Sequence, residues 1–130
     1  MKETEIEQLI GEKLGHFLGE DGIVVIDGQG SILYMNPTAA GIFGLEHRKG
    51  MDGHNIMELM PERFHKKHAT GLARFRDTGK SKLDGKTVRV YGKRIDGKEV
   101  PIELTIRRLI ANLFAAKIFD LGKKPDFEWK

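Results

Sequence analysis

The chain contains no cysteine. This absence excludes disulfide bonds, thiolate metal sites, a cysteine nucleophile and any cofactor attached through a thiol, including covalently bound haem. The sequence also lacks a Gly-rich phosphate loop, a nucleophile elbow and a paired-histidine zinc motif with a catalytic Glu. Nothing in these residues therefore indicates an enzyme.

Long apolar runs are absent as well. No run approaches the roughly 20 apolar residues that a membrane span needs, and the N-terminal stretch MKETEIEQ is charged rather than secretory in type. We therefore expect a cytoplasmic protein with no membrane segment. The net charge is +3, but its 22 Lys and Arg residues are spread among 19 Asp and Glu residues, so we expect no nucleic-acid partner. The length of 130 residues suits one domain.

The N-terminal segment has the periodicity of an amphipathic helix, which we assign to residues 1–19. Its apolar stripe can cover the rest of the domain or pair with a second copy of the chain. We predict a homodimer through this helix, with the covering role as the alternative. The stripe consists of Ile6, Leu9, Ile10, Leu14 and Phe17.

The following residues alternate between strand and helix signals. DGIVVID (21–27) and SILYMN (31–36) flank a Gly-rich turn, and Asn36-Pro37 predicts the start of a short helix. Asp96-Gly97 joins TVRVYGKRI to KEVPIELTIRRL, and a last strand covers residues 113–120. We predict an α+β fold over residues 20–121, with a five-stranded antiparallel sheet, short helices on one face and a polar tail at 122–130.

A histidine lies on the apolar side of a helix predicted from about Glu62 to Gly79. Phe64, His68, Leu72 and Phe75 share one stripe of this helix, whereas His65 can reach water. His68 is either a packed core residue or a ligand. His65 and His68 could in principle share one metal ion, but the sequence shows no third ligand.

Taken together, these segments resemble a PAS sensory domain. The resemblance rests on DGIVVIDGQGSILYMNPTAAGIFG, LMPERFHKKHATGLARFRDTG, GKRIDGKEVPIELTI and the final strand, and covers about residues 20–121. It implies an input domain that works with an effector signalling domain of the kinase, cyclase or chemoreceptor type. Members of the family often continue into a coiled coil, but Gly122 and Pro125 would break a continuous helix here.

The pattern is most similar to the haem-binding PAS subgroup of the FixL oxygen-sensor kinase and the direct oxygen sensor phosphodiesterase. An ungapped match of LMPE and of the Thr-Gly that ends the helix places the haem-ligating histidine of this subgroup at His68. The resemblance implies haem b, bound without a covalent link, as a sensor of a diatomic gas or of redox state. The other implied pocket residues are Leu72, basic groups near the propionates (Arg74 and Lys82) and apolar groups on the gas-binding side (Leu83, Leu104 and Ile106).

The sequence departs from this subgroup at one important position. Its oxygen sensors carry an arginine that donates a hydrogen bond to oxygen, and the same register gives Val88 here. The strand alternation turns Val88 inward and Arg89 outward. A distal methionine in the phosphodiesterase sensor corresponds to Lys86, which is no iron ligand. Oxygen sensing is therefore less well supported than haem binding.

Two alternatives to haem remain open. The domain could be a haem-free module for dimerisation or protein interaction, with its pocket filled by Met35, Met57 and Met60. It could also bind another small ligand, including a redox flavin. A photochemical flavin is excluded because the chain lacks the cysteine that forms the adduct.

Overall fold

A computed structural model of the protein describes residues 2–14, 21–79, 86–110 and 112–123. The α-helices are α1 (Glu3–Leu14), α2 (Pro37–Ile42) and α3 (His65–Thr78), and short 3-10 turns occupy Ile56–Leu59, Glu62–Phe64 and Leu121–Lys123. The strands are β1 (Gly22–Asp27), β2 (Ile32–Met35), β3 (Thr87–Lys93), β4 (Glu99–Ile110) and β5 (Leu113–Asp120). The part of the predicted N-terminal helix beyond Leu14 lies outside the described residues.

The strands form one five-stranded antiparallel sheet in the order β2-β1-β5-β4-β3, which confirms the predicted α+β fold. Local interactions stabilise the turns of the two hairpins, β1–β2 and β3–β4. In the β1–β2 turn the Asp27 carboxylate accepts hydrogen bonds from the backbone N–H groups of Gln29 and Ser31, at 2.9 Å each. In the β3–β4 turn Gly97 has a φ of 89°, a conformation that favours glycine.

Each face of the sheet has its own apolar core, because side chains alternate between the faces along a strand. On the inner face, α2 and the turn Ile56–Leu59 pack against Val24, Ile102 and Ile118. On the outer face, Ile6 and Ile10 of α1 form the second core with four residues of the sheet: Ile23, Val25, Leu109 and Ala115. The short helices therefore share one face, as predicted, and α1 covers part of the other.

Helix α3 closes the inner face from the side. The rings of Phe75 and Phe114 lie 4.7 Å apart and join α3 to β5. The helix ends at Gly79, which has a φ of 69° and donates its N–H to the Phe75 carbonyl at 2.8 Å. Its start is less well stabilised, because the first turn has no acidic residue and Phe64 provides no side-chain cap. The α-helix begins at His65 rather than at the predicted Glu62, since Glu62–Phe64 form a 3-10 turn.

Candidate ligand-binding cavity

A cavity of about 120 Å³ lies between the inner face of the sheet, α3 and the turn at Ile56–Leu59. Its wall is almost entirely apolar. The residues that surround it come from all these elements and from four strands: Val24, Ile26, Phe43, Ile56, Leu59, Met60, His68, Val90, Tyr91, Gly92, Ile102, Leu104, Ile106, Phe114, Ala115, Ala116 and Ile118.

His68 brings a polar group into this apolar wall. Its Nε2 atom is buried and, among the described residues, has no hydrogen-bond partner. Burial lowers the pKa of His68 from 6.5, and the nearby His65 lowers it further by charge repulsion. The imidazole is therefore neutral near pH 7, and its nitrogen is available to a ligand.

The neighbouring histidine has a different role. His65 Nε2 lies 2.9 Å from the carbonyl oxygen of Met60, to which it donates a hydrogen bond. This bond leaves His65 outside the residues that surround the cavity. Within the described ranges, no group of three or more His, Asp or Glu side chains is arranged to hold a metal ion. The geometry gives no support to a metal ion shared by His65 and His68.

The structure brings only some of the predicted site residues to the cavity. His68, Leu104 and Ile106 border it. Val88 pairs with Leu104 across β3 and β4 but does not border the cavity. The half-buried Leu72 and the exposed Arg74 do not border it either. Lys82 and Leu83 lie outside the described residues, so their predicted roles are not addressed by the structure.

Several cavity residues were not predicted from the sequence. Val90 borders the cavity in the place expected for Val88, and both have the same inward phase in β3. The alternation predicted the correct face, but it does not indicate how far along the strand the cavity extends.

Gly92 brings β3 close to Phe43, because a Cβ atom at this position would lie 3.0 Å from the Phe43 ring. Of the three methionines proposed to fill the pocket, only Met60 borders it, whereas Met35 is buried in the inner core.

An ion pair between the turn Glu62–Phe64 and β4 was also not predicted. Arg63 Nη1 lies 2.6 Å from Glu99 Oε2, and Arg63 Nη2 lies 2.7 Å from Glu99 Oε1. The guanidinium lies 4.6 Å from the centre of the Phe64 ring and 5.7 Å from that of Tyr91. The hydrogen bond to Arg63 lowers the pKa of Glu99, and the same bond raises that of Arg63.

A five-stranded antiparallel sheet thus holds an apolar cavity beneath short helices, an α+β arrangement with room for a small ligand. The PAS domain family matches residues 20–119, and the chain belongs to this family. It is thus a PAS sensory domain, and PAS domains are sensory rather than catalytic. No helix in the described part of the chain has the length and apolar character needed to cross a membrane.

Among curated proteins, the chain is similar to the sensor protein FixL of Bradyrhizobium diazoefficiens. The two are 35% identical over 86 residues, which cover 66% of this chain and 17% of FixL. The chain therefore corresponds to about a sixth of the length of that signalling protein.

Solved structures share the fold at low sequence identity. The RpfR quorum-sensing receptor PAS domain of Cronobacter turicensis, in complex with C12:0, has a TM-score of 0.67 and 17% identity, and the match covers 81% of this chain and 97% of that one. A LOV protein of Rhodobacter sphaeroides has a TM-score of 0.68 and 12% identity, with 97% and 72% covered. A PAS domain of a LuxR-family regulator from Burkholderia thailandensis, in complex with ethanol, has a TM-score of 0.63 and 20% identity, with 85% and 96% covered.

Proposed function

We propose that this PAS domain is the sensory input of a signalling protein and binds haem b through His68. The observation that carries the proposal is the buried Nε2 atom of His68, which has no partner in the described structure although it lies in an apolar wall. A buried polar atom without a partner costs about 1–3 kcal/mol. A bound ligand that coordinates this nitrogen would supply the missing partner and remove the cost.

The residues fit an iron ligand of this kind. A neutral imidazole is the usual protein ligand of non-covalently bound haem, and burial keeps His68 in that state. Leu104 and Ile106 supply apolar surface that excludes water from the other side of the cavity. When bound, haem would supply an iron centre that responds to a diatomic gas or to redox state. The similarity to FixL supports this choice of cofactor.

The volume of the cavity requires it to widen before haem can enter. At about 120 Å³ it resembles the apolar cavities of about 150 Å³ that hold benzene, whereas drug-sized ligands occupy about 300–1,000 Å³. Strand pairing holds the sheet together, but the first turn of α3 has neither a side-chain cap nor an acidic residue. We propose that this turn, which carries His68, moves outward to admit the ligand.

The test is the absorption spectrum of the purified protein after addition of ferric haem. We expect a Soret band from the parent protein, a strongly reduced band from His68→Ala and a nearly unchanged band from His65→Ala. The second variant is the matched control, because His65 lies one turn away but bonds to the Met60 carbonyl. No Soret band from the parent, or equal bands from all three proteins, would contradict the proposal.

A second candidate is a haem-free domain that binds a small apolar molecule. The size and apolar wall of the cavity favour it, since a short hydrocarbon needs little widening. The RpfR PAS domain and the LuxR-family PAS domain, which share the fold, were solved with C12:0 and with ethanol. Mass spectrometry of the protein purified under native conditions would distinguish the candidates, because a retained lipid and a retained haem differ in mass.

Gas selectivity and the effector are further parts of the proposal. Neither Val88, where oxygen sensors of the resembling subgroup carry arginine, nor Val90, which borders the cavity, has a hydrogen-bond donor, so we propose weak selection for oxygen. We also propose that the domain acts on an effector of the kinase, cyclase or chemoreceptor type.

A further inference from the structure

We propose that Phe43 limits the length of the molecule that the cavity accepts, because its ring lies against Gly92 and closes the cavity near the β3–β4 turn. The inference rests on the second candidate function, the binding of a small apolar molecule. It adds the class of ligand that this closed end selects, namely a short unbranched apolar chain that ends at the ring.

Strand β4 shows where the cavity ends. Its side chains alternate between the two faces of the sheet, and the inward-facing Ile102, Leu104 and Ile106 all border the cavity. The next residue of the same phase, Val100, is buried in the inner core but does not border the cavity. The cavity therefore ends between Ile102 and Val100, although apolar side chains continue beyond this point.

The ring of Phe43 lies at this boundary. Gly92, which borders the cavity, pairs with Val100 across β3 and β4. A Cβ atom on Gly92 would lie 3.0 Å from Cε1 of Phe43, 3.4 Å from Cδ1 of Ile102 and 3.5 Å from Cγ1 of Val100. The edge of the ring thus lies against the backbone of β3. Glycine gives the ring this space, because every other residue carries a Cβ atom.

The backbone of Phe43 is fixed from two sides. Its N–H group donates a hydrogen bond to the Ala39 carbonyl of α2 at 3.2 Å, and its carbonyl accepts one from the Ile95 N–H group of the β3–β4 turn at 3.0 Å. From the same turn, Arg94 Nη1 donates to the Ile42 carbonyl at 2.9 Å. Phe43 therefore forms a fixed end wall, in contrast to the first turn of α3, which has no side-chain cap.

A fixed end wall predicts a limiting chain length, which titration calorimetry with unbranched alcohols from 1-butanol to 1-dodecanol measures. In the parent protein, affinity should rise about fourfold for each added CH₂ group that enters the cavity, and should stop rising at the limiting length. Phe43→Ala should move this limit by about two to three carbons toward longer alcohols, because loss of the ring opens a space lined by the apolar Val100.

Gly92→Ala tests the contact from the other side. The added methyl group occupies space at the closed end, so the limiting chain length should fall by about one carbon. The variant should also lower the urea midpoint of the ligand-free protein, because the ring must shift. In a chain that also carries Phe43→Leu, which has no ring, the same change should lower the midpoint much less. Equal losses in the two backgrounds would overturn the contact between Gly92 and Phe43.

Met35→Ala is the matched control, because Met35 is 1% exposed in the same core but does not border the cavity. It should lower stability and leave the limiting length unchanged. If Phe43→Ala does not fold, Phe43→Leu should still move the limit by about one carbon. An unchanged limit in the Phe43 variants, or an equal change in Met35→Ala, would overturn the role of Phe43 and leave binding of small apolar molecules intact. Binding of no alcohol by any of these proteins would overturn both.

Discussion

At the scale of single residues, the buried and unpaired nitrogen of His68 lowers the free energy of unfolding of the ligand-free protein. An apolar side chain in its place would pack in the cavity wall without leaving a nitrogen unpaired. Natural sequences break such local rules mainly at functional sites. The motif match to haem-binding PAS domains and the buried, unpaired nitrogen point independently to His68.

The burial of His68 has a consequence for the pH dependence of folding. Its pKa in the folded protein is lowered from 6.5, so the unfolded chain binds more protons in the interval just below that value. The stability contribution is complete above about pH 6.5 and is lost as the pH falls toward the lower pKa of the folded state. The ligand-free protein should therefore lose less stability between pH 7.5 and pH 5.5 after His68→Leu.

Urea unfolding of the ligand-free protein at these two pH values measures the effect. His68→Leu should also raise the free energy of unfolding at neutral pH by about 1 kcal/mol, because the unpaired nitrogen is removed. His47→Gln removes an exposed histidine and serves as the control. The same pH dependence in His68→Leu as in the parent would mean that burial of His68 has no energetic effect.

The residues that could be predicted from the sequence are those set by periodicity. The helical stripe placed His68 on the apolar side, and alternation placed Leu104 and Ile106 on the inner face. The ion pair of Arg63 and Glu99 could not be found in this way, because the two residues are 36 positions apart and only the tertiary fold joins them. The pairing of two surface residues leaves no periodic signal.

At the scale of secondary structure, local signals predicted the strands and turns well. The last predicted strand, at residues 113–120, agrees with β5, and Asp96-Gly97 forms the β3–β4 turn. The boundaries of α3 were less predictable. Gly79 fixes its end through its positive φ. Its start depends on the 3-10 turn Glu62–Phe64, which no local sequence signal distinguished from the first turn of the α-helix.

Asn36 joins two elements that position the cavity. Its side-chain oxygen accepts hydrogen bonds from the N–H groups of Ile23 in β1 and Ala39 in α2, at 2.9 Å each, and its side-chain nitrogen donates to the Asp21 carbonyl at 3.1 Å. Asn36 is 3% exposed and both N–H bonds to it are buried, so these two N–H groups have no water as a substitute. The residue both caps α2 and attaches it to the sheet.

Asn36→Ala should therefore lower the free energy of unfolding by about 2–4 kcal/mol, because it leaves two buried N–H groups unpaired. Chemical denaturation gives this value directly. Asn55→Ala is a matched comparison, since Asn55 caps the turn Ile56–Leu59 with a 3.0 Å bond to Met57 N–H but is only half-buried. Its expected cost is about 1 kcal/mol. Equal costs at both positions would contradict the coupling between α2 and β1.

At the scale of the whole molecule, α1 bears on both the domain and its predicted dimer. Ile6 and Ile10 are 2% and 5% exposed and pack on the outer face of the sheet. Arg48 and Lys49 form ion pairs with Glu3 at the start of α1, and the pair with Lys49 measures 3.7 Å. The described part of the stripe, Ile6, Leu9 and Ile10, thus covers its own sheet here. The dimer stays a prediction, because the same contact can form between two copies when each helix covers its partner's sheet.

Removal of residues 1–18 separates these two roles. We predict that the parent chain sediments as a dimer and the shortened chain as a monomer, because the helix would carry the contact between copies. In either arrangement the shortened chain should be less stable, since Ile23 and Val25 lose their cover.

Ile6→Asp tests the same surface in the complete chain. A charge at this 2% exposed position disrupts the packing of α1, whether the helix covers its own sheet or that of a second copy. Glu7→Gln is its control, since Glu7 lies on the exposed side of α1. If Ile6→Asp lowers stability while the sedimentation coefficient is that of a monomer before and after the change, the helix covers only its own domain and the predicted dimer is wrong.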